Sequence, residues 1–136
     1  LSRAIDAMVA EKVMGWTPDE YGCWSEGTHQ SHGGRVRWCK ADSEGLDRLN
    51  DAEVWSPSTD PAAYTEVIDY HATGYVEIHN GWGERDGERV GGWKCRIVVP
   101  GGEGEAREPT IGMAVCIAAL RAVGVAEDEI QKARGK

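Results

Sequence analysis

Phenylalanine is absent from this chain of 136 residues, whereas tryptophan occurs six times. An indole fills a core as a phenyl ring would, but it also offers a flat stacking surface with a polar edge. Trp16, Trp55 and Trp93 lie beside the ends of predicted helices or strands, so we expect them in the core. Trp24 and Trp82 have small or polar neighbours in sequence and are the better candidates for exposure.

A long apolar run is also missing. The longest, Met113 to Leu120, falls well short of the roughly 18 residues that span a bilayer. The first ten residues contain Arg3 and Asp6 and lack the uncharged apolar run of a signal peptide. Without a secretion signal we expect reduced thiols rather than disulfides. The four cysteines are Cys23, Cys39, Cys95 and Cys116.

Basic residues are fewer than acidic ones: the chain has 15 lysines and arginines against 23 aspartates and glutamates, and its net charge is -8. Like-charge repulsion therefore disfavours direct binding of duplex nucleic acid or of an anionic membrane by the whole surface. A local basic patch remains compatible with this balance, and an acidic surface suits a basic protein partner. The length and the 40% of hydrophobic residues are those of one folded domain.

Motifs that identify common enzymes are missing as well. The sequence has no Gly-x-Ser-x-Gly elbow, no Gly-x4-Gly-Lys-Ser/Thr phosphate loop and no His-Glu-x2-His helix. A cysteine activated by a histidine, with Cys23 or Cys39 as nucleophile, stays an alternative in principle. The sequence favours a non-enzymatic protein, and we expect no cofactor.

Apolar residues at helical spacing predict three main helices, at about 2–14, 61–72 and 110–123, with a short charged helix at 127–134. Gly15 is expected in a left-handed C-terminal cap. The segment Ser56 to Pro61 is typical of a helix start, because its side chains accept bonds from free N–H groups. The third helix is apolar nearly all round, which predicts packing on more than one side.

Alternating patterns predict strands at 75–80 and 93–99, joined as a long hairpin with Asp86-Gly87 as a turn. A further short strand at 35–38 is expected to pair with 22–25. Residues 101–108 are acidic and rich in glycine and are interpreted as a loop. The prediction is one α+β domain over residues 1–136, with a small antiparallel sheet and three main helices.

Three segments, taken in order, resemble the phage ABA sandwich domain, a family of small phage and prophage proteins. They are Val9 to Trp16, Ser56 to Asp60, and Thr110 with Ala114 to Gly124. The resemblance implies an α/β/α-type sandwich and a bacteriophage origin, but it supplies no catalytic residues. Tyr64 stands where the family is expected to have tryptophan, which exchanges one aromatic ring for another.

Arginine alternates with apolar residues before Trp38, and this pattern suggests a ligand site. An arginine fork binds phosphate and a tryptophan stacks on a nucleobase, which suits a small nucleotide better than a duplex. Two arginines two apart on a strand share one face. The alternative is a solvated strand face with Trp38 in the core. The candidate ligand-binding residues are Trp24, His29, His32, Arg35, Arg37 and Trp38.

A metal site is a weaker candidate in the same region. Cysteine and histidine are both zinc ligands, and they follow the spacing Cys-x5-His-x2-His-x6-Cys. The paired Cys-x2-Cys spacing of a standard finger is absent, so two strand cysteines that flank a polar loop are the simpler interpretation. The candidate ligands are Cys23, His29, His32 and Cys39.

The resemblance and the missing motifs together predict a phage-encoded, non-enzymatic binding protein that counters a host activity in the host cytoplasm. One mechanism is sequestration of a small anionic nucleotide, which needs a concave pocket and favours a homo-oligomer. A second is docking of the acidic surface onto a basic host protein that holds nucleic acid. A structural or accessory role in the virion is the third hypothesis.

Overall fold

The computed structural model describes residues 3–18, 23–25, 36–38, 53–70, 74–80, 83–85, 88–90 and 92–135. For residue 3 and the strands at 17–18, 23–25, 36–38, 53–54, 83–85 and 88–90, the description covers the backbone alone. The helices are α1 (Arg3–Met8), continued by a π-helix (Val9–Val13), α2 (Pro61–Tyr70), α3 (Ile111–Ala122) and α4 (Glu127–Arg134).

In the part of the chain that the structure describes, nine strands form three sheets. The strands are β1 (Thr17–Pro18), β2 (Cys23–Ser25), β3 (Val36–Trp38), β4 (Glu53–Val54), β5 (Tyr75–Asn80), β6 (Gly83–Arg85), β7 (Glu88–Val90), β8 (Trp93–Val99) and β9 (Gly102–Glu108). The sheet orders are β1-β2-β3-β4, β5-β8-β9 and β6-β7. Among these described strands, every pairing is antiparallel except that of β3 with β4.

The α+β class is confirmed, with a three-stranded antiparallel sheet packed against helices in one domain. Helix α3 lies at the centre, and nine of its twelve residues are buried. One side of it packs on β8 and β9, while other sides contact α1, the π-helix and α2. The apolar residues all round this helix therefore serve contacts in several directions, as the sequence predicts.

The segment interpreted from sequence as an acidic loop at 101–108 is instead the edge strand β9. Gly104, Ala106 and Glu108 are buried on one face, while Glu103 and Glu105 are exposed on the other. A Cβ at Gly104 would overlap backbone atoms of Ala118 and Ala122 in α3. Small residues are thus needed on the inner face so that α3 can approach the strand closely.

The first helix is also less regular than predicted. After Met8 the backbone widens into the π-helix, and Met14 donates to the carbonyl of Val9 at 3.0 Å. Gly15 then adopts φ 73°, the left-handed conformation expected of its cap. The apolar residues at helical spacing that predict this helix form one stripe, and all of it except the half-buried Met8 is buried, so the wider turn preserves the packing face. Its buried members are Ile5, Val9, Val13 and Trp16.

Helix α2 begins where the sequence predicts. The Asp60 carboxylate accepts from the backbone N–H of Ala62 at 3.1 Å, and Pro61 occupies the first helical position. The helix ends at Tyr70, two residues before the expected end; residues 71–73, with His71, lie outside the described residues. In the part of the chain that the structure describes, no helix is both long and apolar enough to cross a bilayer.

Candidate functional site

The predicted ligand site lies on the β2–β3 hairpin. These strands pair antiparallel as expected, and the register sets Trp24 opposite Arg37 and Cys23 opposite Trp38. Because successive residues of a strand belong to opposite faces, Trp24 shares a face with Arg37 and not with Trp38. The other predicted residues, His29, His32, Arg35 and Cys39, lie outside the described residues. The nucleotide site and the zinc site both stay predictions.

Two tryptophans lie at the base of the four-stranded sheet that contains this hairpin. β1 begins directly after Trp16, and β4 ends directly before Trp55. The two indole rings contact each other with centroids 4.5 Å apart and planes tilted by 55°. Both are buried, in accordance with the prediction that they belong to the core. One aromatic contact in the core therefore joins the start of β1 to the end of β4.

The turn after Trp55 is held by a buried polar contact. The Asp6 carboxylate in α1, which is fully buried, accepts from the backbone N–H of Ser58 at 2.9 Å. On the other side, a Cβ at Gly112 of α3 would lie 2.5 Å from the carbonyl oxygen of Ser58. The glycine thus permits the turn to pack directly on the start of α3.

The solvent-facing side of the three-stranded sheet carries a polar cluster on β5. The Tyr75 hydroxyl donates to Glu77 at 2.8 Å, and Glu77 also contacts the His79 ring nitrogen Nε2. The hydrogen bonds from His79 and then Tyr75 lower the pKa of Glu77. The bond to Glu77 raises the pKa of Tyr75. The alternating strand pattern places these residues on one face, although sequence reasoning did not infer their mutual contact.

Two cations on the same face are already engaged. Arg96 donates to Glu103 at 2.6 Å, and Lys94 lies 3.3 Å from Glu105. The bond to Glu103 raises the pKa of Arg96. These glutamates belong to β9, the segment predicted to be a loop, and they partly neutralise the two cations of β8. Lys94 and Arg96 are consequently poorer phosphate ligands than unpaired cations would be.

The two cysteines whose side chains the structure describes are unsuited to nucleophilic catalysis. Cys95 and Cys116 are free and buried. Burial raises the pKa of Cys95 to about 12 and that of Cys116 well above its ordinary value. A thiolate is the reactive form, so neither side chain is activated at neutral pH. Among the side chains that the structure describes, no group of three histidines, cysteines or carboxylates could hold a metal ion.

Comparison with known proteins identifies a fold relative. No family model matches the chain, and no curated protein matches it either. The chain is similar to a phage protein from Bacillus cereus ATCC 14579, whose crystal structure was determined at 2.0 Å. The TM-score is 0.57 at 15% sequence identity, over 90% of this chain and 87% of that one. The two proteins share a fold.

Proposed function

We propose that this chain is a phage-encoded, non-enzymatic binding protein of the phage ABA sandwich type, which counters a host activity in the host cytoplasm. The fold likeness to a phage protein supports this origin. The positions of the three sequence segments behind the resemblance support it further. Trp16 of the first contacts Trp55 beside the second, and Gly112, which lies between the two parts of the third, packs against Ser58 of the second.

The ligand in this proposal is a small anionic nucleotide, bound at the β2–β3 hairpin. The observation that carries it is the register pairing of Trp24 with Arg37. A guanidinium binds phosphate oxygens through its planar fork, and an indole stacks on a base. Lys94 and Arg96 already hold Glu105 and Glu103, which favours the hairpin over the three-stranded sheet as the phosphate site.

A thermal-shift screen against cyclic and linear nucleotides tests the proposal. A ligand at a hundredfold excess over its dissociation constant stabilises the folded state by about 2.7 kcal/mol, which raises the melting temperature. Arg37→Ala should abolish the shift and leave the melting temperature of the free protein unchanged. Arg107→Ala, which removes an exposed arginine of β9, is the matched control and should retain the shift.

Three outcomes would contradict sequestration by the hairpin. Retention of the shift in Arg37→Ala would place the ligand elsewhere. Turnover of any nucleotide in the screen would indicate an enzyme. The absence of any shift, together with salt-sensitive co-purification of a host protein, would favour docking of an acidic surface.

Docking onto a basic host protein is the second candidate function. Asp128 and Glu129, in the first turn of α4, are exposed and make no ion pair within the described part of the chain. With a net charge of -8, such carboxylates suit a basic groove that normally holds nucleic acid.

A structural role in the virion is the third candidate function. It would place many copies of the chain in purified virions, and absence of the chain from those particles would exclude that role.

A further inference from the structure

An open groove runs between the first and last helices of the chain. α1 and α4 contact each other and leave a cavity of about 440 Å³ along their junction. Its apolar lining consists of Ala4, Ala7 and Met8 on one wall and Ala133 on the other.

A second cavity of about 340 Å³ continues the groove at one end. It is lined by the segment Val123 to Ala126, and Val123 has 39% of its surface exposed. Lys12 and Glu129 line both cavities, so they mark the point where the two meet. The two cavities therefore share a rim that the π-helix and α4 both border.

The rim of the groove carries charges of both signs. Glu11 and Lys12 lie on the wall formed by the π-helix, and Glu129 and Lys132 on the wall formed by α4. All four are exposed, and none has an ion-pair partner among the residues that the structure describes. Two other cations are already paired, because Arg121 forms an ion pair with Glu127 and Arg134 forms one with Glu108. The groove therefore keeps two acids and two bases available for another molecule.

We propose that the face formed by α1, the π-helix and α4 on either side of the groove binds the same face of a second copy of this chain. A two-fold axis along the groove lays α1 of each copy over α4 of the other. Lys12 and Glu129 lie at the same end of the groove. This axis therefore brings Lys12 of each copy next to Glu129 of the other. Glu11 then faces Lys132 of the second copy. Each wall has one acid and one base, and the assembly is self-complementary in charge.

The size of the surface sets the strength of the dimer. About twelve residues of each copy line the two cavities. A standard stable interface uses about 20 to 30 residues from each partner. The dimer is therefore weak, and its population depends on protein concentration. The proposal is independent of nucleotide binding, because the groove and the hairpin involve different residues.

Sedimentation equilibrium of the full chain over a range of concentrations tests the proposal. The mass should rise from the 14.8 kDa monomer towards twice that value, and less steeply at high salt. Lys12→Glu, which sets like charges against each other twice, should raise the dissociation constant by about tenfold or more. The double variant Lys12→Glu with Glu129→Lys restores the opposite charges in both copies and should recover most of the association.

Arg107→Glu is the matched control, since it reverses an exposed cation on β9 and should leave the dissociation constant unchanged. Circular dichroism of each variant checks that the fold is retained. A monomeric mass at every concentration would overturn the proposal. So would a dimer that tolerates Lys12→Glu, or a double variant as weak as the single one.

Discussion

The buried carboxylate of Asp6 accepts a hydrogen bond of 2.9 Å from the backbone N–H of Ser58, which lies 52 residues further along the chain. This contact ties α1 to the turn that precedes α2. Gly112 packs against the same turn from the start of α3. Three helices therefore share one anchoring point, at which a single side chain satisfies a backbone donor that water cannot reach.

Asp6→Ala should lower the free energy of unfolding by about 2 kcal/mol, because the hydrogen bond is lost and the buried Ser58 N–H is left without this acceptor. Asp69→Ala removes an exposed carboxylate of α2 and should stay within about 0.5 kcal/mol of the original protein. Urea denaturation at neutral pH measures both. Equal stability of the two variants would show that the Asp6 contact contributes nothing.

Gly104→Ala should destabilise the fold by about 1 to 3 kcal/mol, because the added methyl group overlaps backbone atoms of α3. Gly135→Ala is the matched control: the nearest atom to its new methyl group is 3.6 Å away and its φ of -75° suits alanine. Thermal denaturation of the two variants gives the comparison. If Gly104→Ala and the control melt at the same temperature, β9 and α3 can move apart without loss of stability.

The same glycine explains where sequence reasoning succeeded and where it failed. β5 and β8 alternate apolar and polar side chains, so both were predicted with the bounds that the structure shows. β9 alternates too, but its inner residues include Gly104 and Ala106, which favour no strand by themselves. Its conformation is set by contact with α3. This contact is made between segments distant in sequence, so the local pattern of residues does not predict it.

The candidate site, like the sheet, could be predicted from the sequence only in part. The sequence predicts that the strand at 35–38 pairs with 22–25, and these strands do pair, but it does not predict the register that sets Trp24 opposite Arg37. The ion pair of Arg96 with Glu103, which makes Arg96 a poorer phosphate ligand, could not be foreseen. It forms only because β9 is a strand in register with β8. The groove between α1 and α4 also joins opposite ends of the sequence, and no local spacing indicates it.

Cys95 and Cys116 should resist alkylation in the native protein at neutral pH. Both thiols are buried, and burial raises their pKa values, so almost no thiolate is present or accessible. Iodoacetamide labelling followed by peptide mass spectrometry should find both unmodified until denaturant is added. The denatured protein is the internal control, in which both must react. Native labelling at the rate of a free thiol would contradict the burial described here.

The stability contributed by the ion pair of Arg121 with Glu127 should disappear in acid. Arg121 donates to both carboxylate oxygens, at 3.0 and 2.6 Å, and holds the pKa of Glu127 at about 2, below its ordinary 4.5. A depressed pKa in the folded state stabilises the protein fully above the unfolded value of 4.5. This contribution is lost as the pH falls through about 2.

Glu127→Gln should therefore be less stable than the original protein at pH 7, by up to about 1 kcal/mol for an exposed pair. The difference should narrow as the pH falls from 4.5 towards 2, because the original carboxyl group then becomes neutral as well. Asp128→Asn removes a neighbouring exposed carboxylate that makes no ion pair within the described residues, so it serves as the control. Urea denaturation at several pH values measures the three proteins. If the gap between Glu127→Gln and the original protein stays constant down to pH 2, the pair with Arg121 does not set the pKa of Glu127.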